Sequence, residues 1–301
     1  MKIFHFIETY FWVFLFAGLA LGLTYPLYND FLMSSLKPLL MIMLFLVFLK
    51  TDLINLLKQI KDYKLMTYLV CMFMVIIPVI FFLAINIFNT ELAVGILLLT
   101  AMPAGVSSPT LTDIVKGNTA LSLSITIITS MVAPFTVPLL FRLINNDNLS
   151  VNTLEIFKDL AMLVFLPLIL SQIIKKIVPE AVNRGKHIFT SVNIIILFII
   201  VYASMGSQRS VILSNTVDII WQTGFLYLVF ILLHVIGYLT GYNQDKESKT
   251  AIVIGAAYMN NGMAIVLAAL YFNPSILVLM VLSELPWNTL LAPFRKINQY
   301  L

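Results

Sequence analysis

The sequence predicts an all-α polytopic membrane protein, and three properties of its 301 residues lead to that prediction. Hydrophobic residues make up 60% of the chain, charged residues make up 11%, and the mean hydropathy is +1.00. Soluble domains are nearer to half apolar and a quarter charged, so this composition fits a bilayer and not water. The apolar residues form continuous runs of about 20, the length of a spanning helix, and lack the short alternating pattern of a β-barrel.

Hydropathy divides the chain into ten predicted spans with short loops, in one transmembrane unit over residues 1–301. Because each half holds five spans, two copies of a five-helix unit, near 1–145 and 150–301, face opposite ways in the membrane. Inverted repeats of this kind are common in secondary transporters. The predicted spans lie near 6–28, 31–49, 65–88, 91–116, 119–142, 155–177, 187–206, 220–241, 248–271 and 274–294.

The distribution of lysine and arginine sets the predicted orientation, because these residues concentrate in cytoplasmic loops. With the N-terminus in the cytoplasm, only four of the 18 fall on the outer side, namely Lys37, Arg142, Lys158 and Arg209. The sequence therefore predicts a protein of the plasma or inner membrane with both termini cytoplasmic. The net charge of +4 follows from this bias and does not indicate a nucleic-acid partner.

Two of the predicted spans contain small and polar residues near their middle. Span 4 contains "AMPAGVSSPT", with Pro103, Gly105 and Pro109, and span 9 contains "GAAYMNNGMA", with Asn260-Asn261-Gly262. Proline removes a backbone donor and glycine lets the chain turn, so the pattern predicts broken helices. Such breaks are tolerated in a membrane only where they face protein or water, and they bind ions and substrates in transporters. The alternatives are a plain proline kink in span 4 and asparagines that join helices in span 9.

At these residues the chain resembles the bile acid:sodium symporter family. The most specific match is "PAGVSSPTLTDIVKGNTALSLSIT" over 103–126, and the second is Asn260-Asn261-Gly262. The resemblance covers the whole length in the number and spacing of spans. It implies a core domain of six helices and a panel domain of four, with spans 4 and 9 crossing at their breaks. It also implies alternating-access transport of small organic anions or amphipaths, usually driven by sodium.

The resemblance assigns a sodium site to Ser108, Ser122 and Thr126, which match hydroxyl ligands of the family. Other ligands differ: Pro109 stands where the family has an asparagine, and Gly255 where it has a glutamate. An uncompensated ion in the middle of a membrane is expensive, and no carboxylate remains at this site.

A second sodium site of the family is replaced as well. Met259 and Phe73 stand at its two glutamine positions, so the resemblance implies that this site is lost. Coupling to one sodium ion, coupling to protons and uncoupled transport all remain open. Sodium is thus the one candidate inorganic partner, and no organic cofactor is expected.

The substrate positions of the family lie at the helix breaks and carry over to Val106 and Asn260, with Ser107 and Asn261 as neighbours. The family has threonine at the position of Val106. The loss of that hydroxyl implies a substrate different from the carboxylates that other members favour.

Glu284, in "VLSELPWN", is an ionisable residue deep in span 10 and is therefore a candidate proton carrier. The alternative is a polar contact within the panel domain, away from the site.

Motifs of soluble and membrane enzymes are missing from the sequence, which contains no His-Glu-x-x-His, P-loop or Gly-x-Ser-x-Gly. Its single cysteine, Cys71, excludes a disulfide framework and a thiolate metal cluster. Polar residues cluster at one depth, which favours an occluded binding site over the continuous polar lining of a channel. The sequence thus predicts a transporter and not an enzyme, and it leaves the oligomeric state open.

Overall fold

The structure, a computed structural model, describes residues 7, 10–51, 62–144, 152–214 and 216–300. Within these ranges the regular structure is helical, apart from one isolated antiparallel β-bridge between Ala104 and Met259. Three lysines that the orientation prediction places on the inner side, Lys2, Lys58 and Lys61, lie outside the described residues.

The described residues of the first half form eight helices and one π-helical turn, at Met72–Ile76, between α4 and α5. The helices are α1 (Phe11–Thr24), α2 (Asn29–Ser34), α3 (Leu36–Lys50), α4 (Tyr63–Cys71), α5 (Ile77–Asn86), α6 (Thr90–Thr100), α7 (Ser108–Ile114) and α8 (Thr119–Ile144).

The second half begins with long helices and ends with short ones. The helices are α9 (Thr153–Ile177), α10 (Pro179–Ser207), α11 (Arg209–Ser214), α12 (Thr216–Thr240), α13 (Lys246–Ala257), α14 (Asn261–Tyr271), α15 (Pro274–Leu282), α16 (Glu284–Thr289) and α17 (Leu291–Ile297).

Six helical stretches in the described part are long and apolar enough to cross a membrane. They are Tyr63–Asn86, Thr119–Ile144, Thr153–Ile177, Pro179–Ser207, Thr216–Thr240 and Pro274–Ile297. Three more apolar helices are shorter, and two of these, α6 and α14, border the breaks in predicted spans 4 and 9. The chain is therefore an all-helical, multi-pass membrane protein.

Asparagine and aspartate side chains accept hydrogen bonds from the first turns of several helices, which fixes where those helices begin. At α13, for example, the Asp245 carboxylate accepts a hydrogen bond of 3.0 Å from the Ser248 N–H. Hydrogen bonds from the backbone and side chain of Ser248 hold the pKa of Asp245 below its ordinary value. The capping residues are Asp62, Asn89, Asn152, Asp245, Asn260 and Asn273.

The helices pack in two groups. In the first, α1 packs along α10, and α3 packs on both α9 and α10. Gly18 and Gly22 allow the α1–α10 contact, since a Cβ at Gly22 would lie 2.5 Å from the Tyr202 carbonyl oxygen. Small residues at such positions let membrane helices approach closely.

The second group surrounds the two helix breaks. In it α8 packs on α7 and α13, α12 packs on α13, and α5 packs on α6. The two groups meet where α8 packs along α9, where α14 and α15 pack on α10, and where α14 packs on α3. The breaks between α6 and α7 and between α13 and α14 therefore lie within the second group, close to its boundary with the first.

Candidate functional site

The two helix breaks cross each other and pair their backbones. Residues 101–107 separate α6 from α7, and residues 258–260 separate α13 from α14. The Gly105 N–H donates to the Tyr258 carbonyl at 2.7 Å, and the Asn260 N–H donates to the Pro103 carbonyl at 2.8 Å. Each break thus satisfies polar groups that the other exposes, which in a membrane removes a cost of several kcal/mol per group.

Gly105 is required by the closeness of this crossing. A Cβ at this position would lie 2.7 Å from the Tyr258 carbonyl oxygen and 3.1 Å from the Met259 carbonyl oxygen. Its φ does not lie in the left-handed region, so the turn does not need the backbone freedom that the sequence suggested for it. The reason for glycine here is space.

Side chains from two other helices bind two further backbone groups at the crossing. The Thr129 hydroxyl on α8 accepts a hydrogen bond of 3.1 Å from the Ala104 N–H. The Trp287 indole on α16 donates to the Met259 carbonyl at 3.1 Å. The sequence analysis did not assign either residue to the site. The one feature that could have indicated them is a side chain with a polar atom in an apolar span.

The predicted helix-break residues occupy different parts of the crossing. Pro103 and Gly105 lie in the non-helical segment. Pro109 lies in the first turn of α7, where its missing N–H leaves no helical hydrogen bond unmade. Gly262 is the second residue of α14.

Four buried residues with hydroxyl groups lie on the neighbouring helices α7 and α8, and we call them the hydroxyl cluster: Ser108, Thr112, Ser122 and Thr126. The Ser108 hydroxyl donates to the Tyr258 carbonyl at 2.9 Å, and the Thr126 hydroxyl donates to the Gly105 carbonyl at 3.3 Å. The Thr112 hydroxyl donates to Ser122 at 2.9 Å. The three predicted sodium ligands therefore lie in one cluster beside the crossing, together with Thr112, which the sequence did not single out.

Apolar groups occupy the positions at which the resemblance implied a lost second site. A Cβ at Gly255 would lie 3.1 Å from ring carbon Cε2 of Phe73 and 3.1 Å from Cγ2 of Ile125. Met259 contributes its backbone to the β-bridge. Gly255 and Phe73 are thus neighbours in space, and the atoms nearest to their contact are carbon atoms of Phe73 and Ile125.

The predicted substrate residues lie at the beginnings of α7 and α14. Val106 and Ser107 form the turn before α7, where Ser107 is exposed and Val106 is half-buried. Asn260 and Asn261 are buried. The Asn260 side-chain oxygen caps α14 by accepting from the Met263 N–H at 3.0 Å.

Asn261 brings α14 into contact with the region of Glu284. Its amide nitrogen donates to the Ser283 hydroxyl at 3.0 Å, and its side chain also lies beside the Glu284 carboxyl. Glu284 is 2% exposed and accepts a hydrogen bond of 3.0 Å from the Asn288 amide. Glu284 is therefore next to a predicted substrate residue, which the sequence left open.

Replacement of Thr129 by valine tests how the crossing is held. Thr129→Val keeps the shape of the side chain and leaves the buried Ala104 N–H without its acceptor, which costs about 1–3 kcal/mol. We expect a thermal midpoint lower by several degrees in detergent. Thr136→Val is the matched control, because the Thr136 hydroxyl bonds only to the Val132 carbonyl of its own helix, at 3.3 Å. Equal midpoints for the two variants would contradict the role of Thr129.

Comparison with known proteins gives the family. The model of the SBF-like CPA transporter family matches residues 9–289. A relative, YocS, an uncharacterized sodium-dependent transporter of Bacillus subtilis (strain 168), is 30% identical over 286 residues, which cover 91% of this chain and 85% of the relative. These matches confirm the resemblance to bile acid:sodium symporters and the choice of transporter over enzyme. The chain belongs to the SBF-like CPA transporter family.

Proposed function

We propose that the chain is a secondary transporter that moves a small organic anion or amphipath by alternating access, coupled to sodium. The observation that carries this proposal is the crossing of two broken helices, Thr90–Ile114 and Lys246–Tyr271, at a buried point lined with hydroxyl and amide groups. Broken helices that cross at mid-membrane are the form that substrate and ion sites take in many secondary transporters.

The order of the helices supports a ten-span inverted repeat. Five helical units come before residues 145–151, which lie outside the described residues. They are α1, α2 with α3, α4 with α5, the broken pair α6 and α7, and α8. Five follow it: α9, α10 with the short α11, α12, the broken pair α13 and α14, and α15 to α17. The break falls in the fourth unit of each half, as an inverted repeat requires. With both termini cytoplasmic, α7 and α13 are the inner half-helices of their spans.

The beginning of α14 is the proposed contact for the anionic group. A helix N-terminus carries a partial positive charge and free N–H groups. Asn260 adds a side-chain donor, since its Nδ2 is buried and has no hydrogen-bond partner among the described residues. Val106 and Ser107 complete the proposed site from the side of α7, and the apolar Val106 favours an amphipathic substrate.

The hydroxyl cluster is the proposed sodium site. Ser108, Ser122 and Thr126 offer three hydroxyl oxygens, and the carbonyls of Gly105 and Tyr258 lie within hydrogen-bonding distance of two of them. Oxygen ligands suit a hard cation. The sodium dependence in the name of the Bacillus subtilis relative supports the same ion for this chain.

A second candidate mechanism is proton coupling through Glu284. It is favoured by the burial of this carboxyl beside Asn261, where a change of protonation would act directly on the proposed substrate site. The two mechanisms are separated by the sodium experiment below.

A contact between the two helix groups supports alternating access. The Tyr271 hydroxyl, at the end of α14, donates to the Asp159 carboxylate of α9 at 2.7 Å, and Lys37 of α3 pairs with the same carboxylate at 2.6 Å. In the proposed orientation all three residues lie near the outer surface. We propose that this contact latches the outer halves of the two groups together and that it opens when the transporter faces outward.

Sodium is expected to stabilise the folded protein. A ligand bound only by the folded state at 100 times its Kd adds about 2.7 kcal/mol, which raises the thermal midpoint by several degrees. We expect sodium, and not potassium, to give this rise in detergent. The double variant Ser122→Ala/Thr126→Ala is expected to reduce it.

Ser124→Ala is the matched control, because Ser124 lies between the two ligands on α8 and bonds only to the Ala120 carbonyl of its own helix. A sodium effect that is unchanged in the double variant argues against the hydroxyl cluster. Absence of any sodium effect, with a pH dependence that Glu284→Gln removes, would favour the proton mechanism.

Asn260→Asp tests the anion site. Aspartate keeps the oxygen that caps α14, removes the Nδ2 donor and adds a negative charge. In a thermal-shift screen of small organic carboxylates and sulfonates, we expect the compounds that stabilise the wild type to lose their effect in this variant by at least about tenfold in affinity. Asn152→Asp makes the same change at the cap of α9 and should respond as the wild type does. Stabilisation that persists in Asn260→Asp would rule out Asn260 as the anion contact.

Tyr271→Phe tests the latch. Loss of a hydrogen bond to a charged group costs about 1.5–3 kcal/mol, so the equilibrium should move toward the outward-open state by about tenfold or more. The reporter is the labelling rate of a cysteine at Ser107→Cys, in a Cys71→Ser background, by an impermeant maleimide added from the cytoplasmic side. We expect slower labelling in Tyr271→Phe. Tyr227→Phe also removes a tyrosine hydrogen bond, here to the neutral Thr289 hydroxyl between α12 and α16, and should leave the rate unchanged.

A further inference from the structure

We infer that a second cation site lies at the junction of α14 and α16, where Glu284, Asn261 and Asn288 bind sodium through side-chain oxygens. This inference rests on the proposed sodium coupling and adds to it a site that neither the sequence nor the resemblance assigned. We call the four residues Asn261, Ser283, Glu284 and Asn288 the carboxyl cluster.

Three side-chain oxygens of the carboxyl cluster are buried and have no hydrogen-bond partner in the described part of the chain. They are Oε1 of Glu284, Oδ1 of Asn261 and Oδ1 of Asn288. Glu284 is 2% exposed and Asn261 is 5% exposed. Buried polar atoms normally have partners, so three unpartnered acceptors on neighbouring residues call for a common explanation.

Hydrogen bonds hold these residues in one place. The Asn288 amide nitrogen donates to Oε2 of Glu284 at 3.0 Å and to the Glu284 carbonyl at 2.7 Å, which binds both residues within α16. The Asn261 amide nitrogen donates to Ser283, the residue that precedes Glu284. In both amides the nitrogen is engaged and the oxygen is left free. The free atoms are therefore all acceptors, which is the ligand set of a hard cation and not of an anion.

The charge of Glu284 has no other counter-ion in the described structure. Neither the Lys37–Asp159 ion pair nor the Arg184–Glu180 ion pair involves Glu284. Among the helices that pack on α16, α12 carries Asp218 and His234, and α17 carries Arg295 and Lys296.

None of these groups neutralises the carboxyl. Asp218, Arg295 and Lys296 are exposed, and His234 bonds to the Tyr258 hydroxyl and the Phe230 carbonyl. A buried carboxyl is either protonated or paired with a cation. A bound sodium ion would provide the charge and would satisfy the free amide oxygens at the same time.

The position of the site explains how the ion would act on transport. Asn261 follows Asn260, whose backbone pairs with Pro103 and whose side chain caps α14. An ion that binds the Asn261 oxygen would hold the beginning of α14 in place. Binding of the ion and of the substrate would then favour each other to the same degree, since such coupling is reciprocal.

The experiment is equilibrium binding of radioactive sodium to the purified full-length protein in detergent. The wild type should bind two ions per chain at saturation, and Glu284→Gln should bind one. The double variant Ser122→Ala/Thr126→Ala should also bind one, because it removes the other site. Asp218→Asn removes an exposed carboxyl from α12 and should bind as many ions as the wild type.

The outcomes separate the two proposals. Wild-type sodium binding by Glu284→Gln overturns the carboxyl-cluster site and leaves the hydroxyl cluster in place. Absence of saturable sodium binding by the wild type overturns sodium coupling itself. Glu284→Asp provides a second test in case Glu284→Gln does not fold, because aspartate keeps the charge on a shorter side chain. It should retain the second ion with at least tenfold weaker affinity, and an affinity equal to that of the wild type would overturn the inference.

Discussion

Two reciprocal backbone hydrogen bonds, from Gly105 to Tyr258 and from Asn260 to Pro103, are the interaction on which the rest of the structure depends. An unwound segment cannot remain unpaired within a membrane, and here each break supplies the partner for the other. The two breaks must therefore lie at the same depth and touch. This requirement leaves room at Gly105 only for a hydrogen atom, and it brings the hydroxyl cluster and the paired asparagines to one point.

Two further helices are tied to the crossing by side-chain hydrogen bonds to its backbone. Thr129 of α8 accepts from Ala104, and Trp287 of α16 donates to Met259. The candidate site is consequently built from four elements that are distant in sequence, and a displacement of any one of them changes the hydrogen bonds of the others. Buried networks of this kind favour two discrete arrangements over gradual deformation, which is the property that alternating access requires.

The helix breaks and part of the candidate site could be predicted from the sequence, and the other contacts of the site could not, for physical reasons. Prolines, glycines and asparagines in apolar spans indicate the breaks, and the resemblance to the bile acid:sodium symporter family assigns Ser122 and Thr126 to a common site. The role of Tyr258 could not be predicted, because it acts through its carbonyl, and every residue has one. The place of Glu284 beside Asn261 depends on how α14 and α16 pack, about which the spacing of 23 positions carries no information.

The distribution of charge connects these observations. The oxygens of the hydroxyl cluster are all neutral. At Gly255, where the family has a glutamate, the nearest atoms are carbons of Phe73 and Ile125. Among the described residues, the carboxyl buried near the crossing is that of Glu284 on α16, on the other side of the Asn260-Asn261 pair. That pair faces both ways, since Asn260 binds the backbone of the first break and Asn261 binds Ser283 next to the carboxyl. Because the two residues share one peptide bond, a shift of Asn261 toward or away from Glu284 must also move the cap of α14 and its pairing with Pro103.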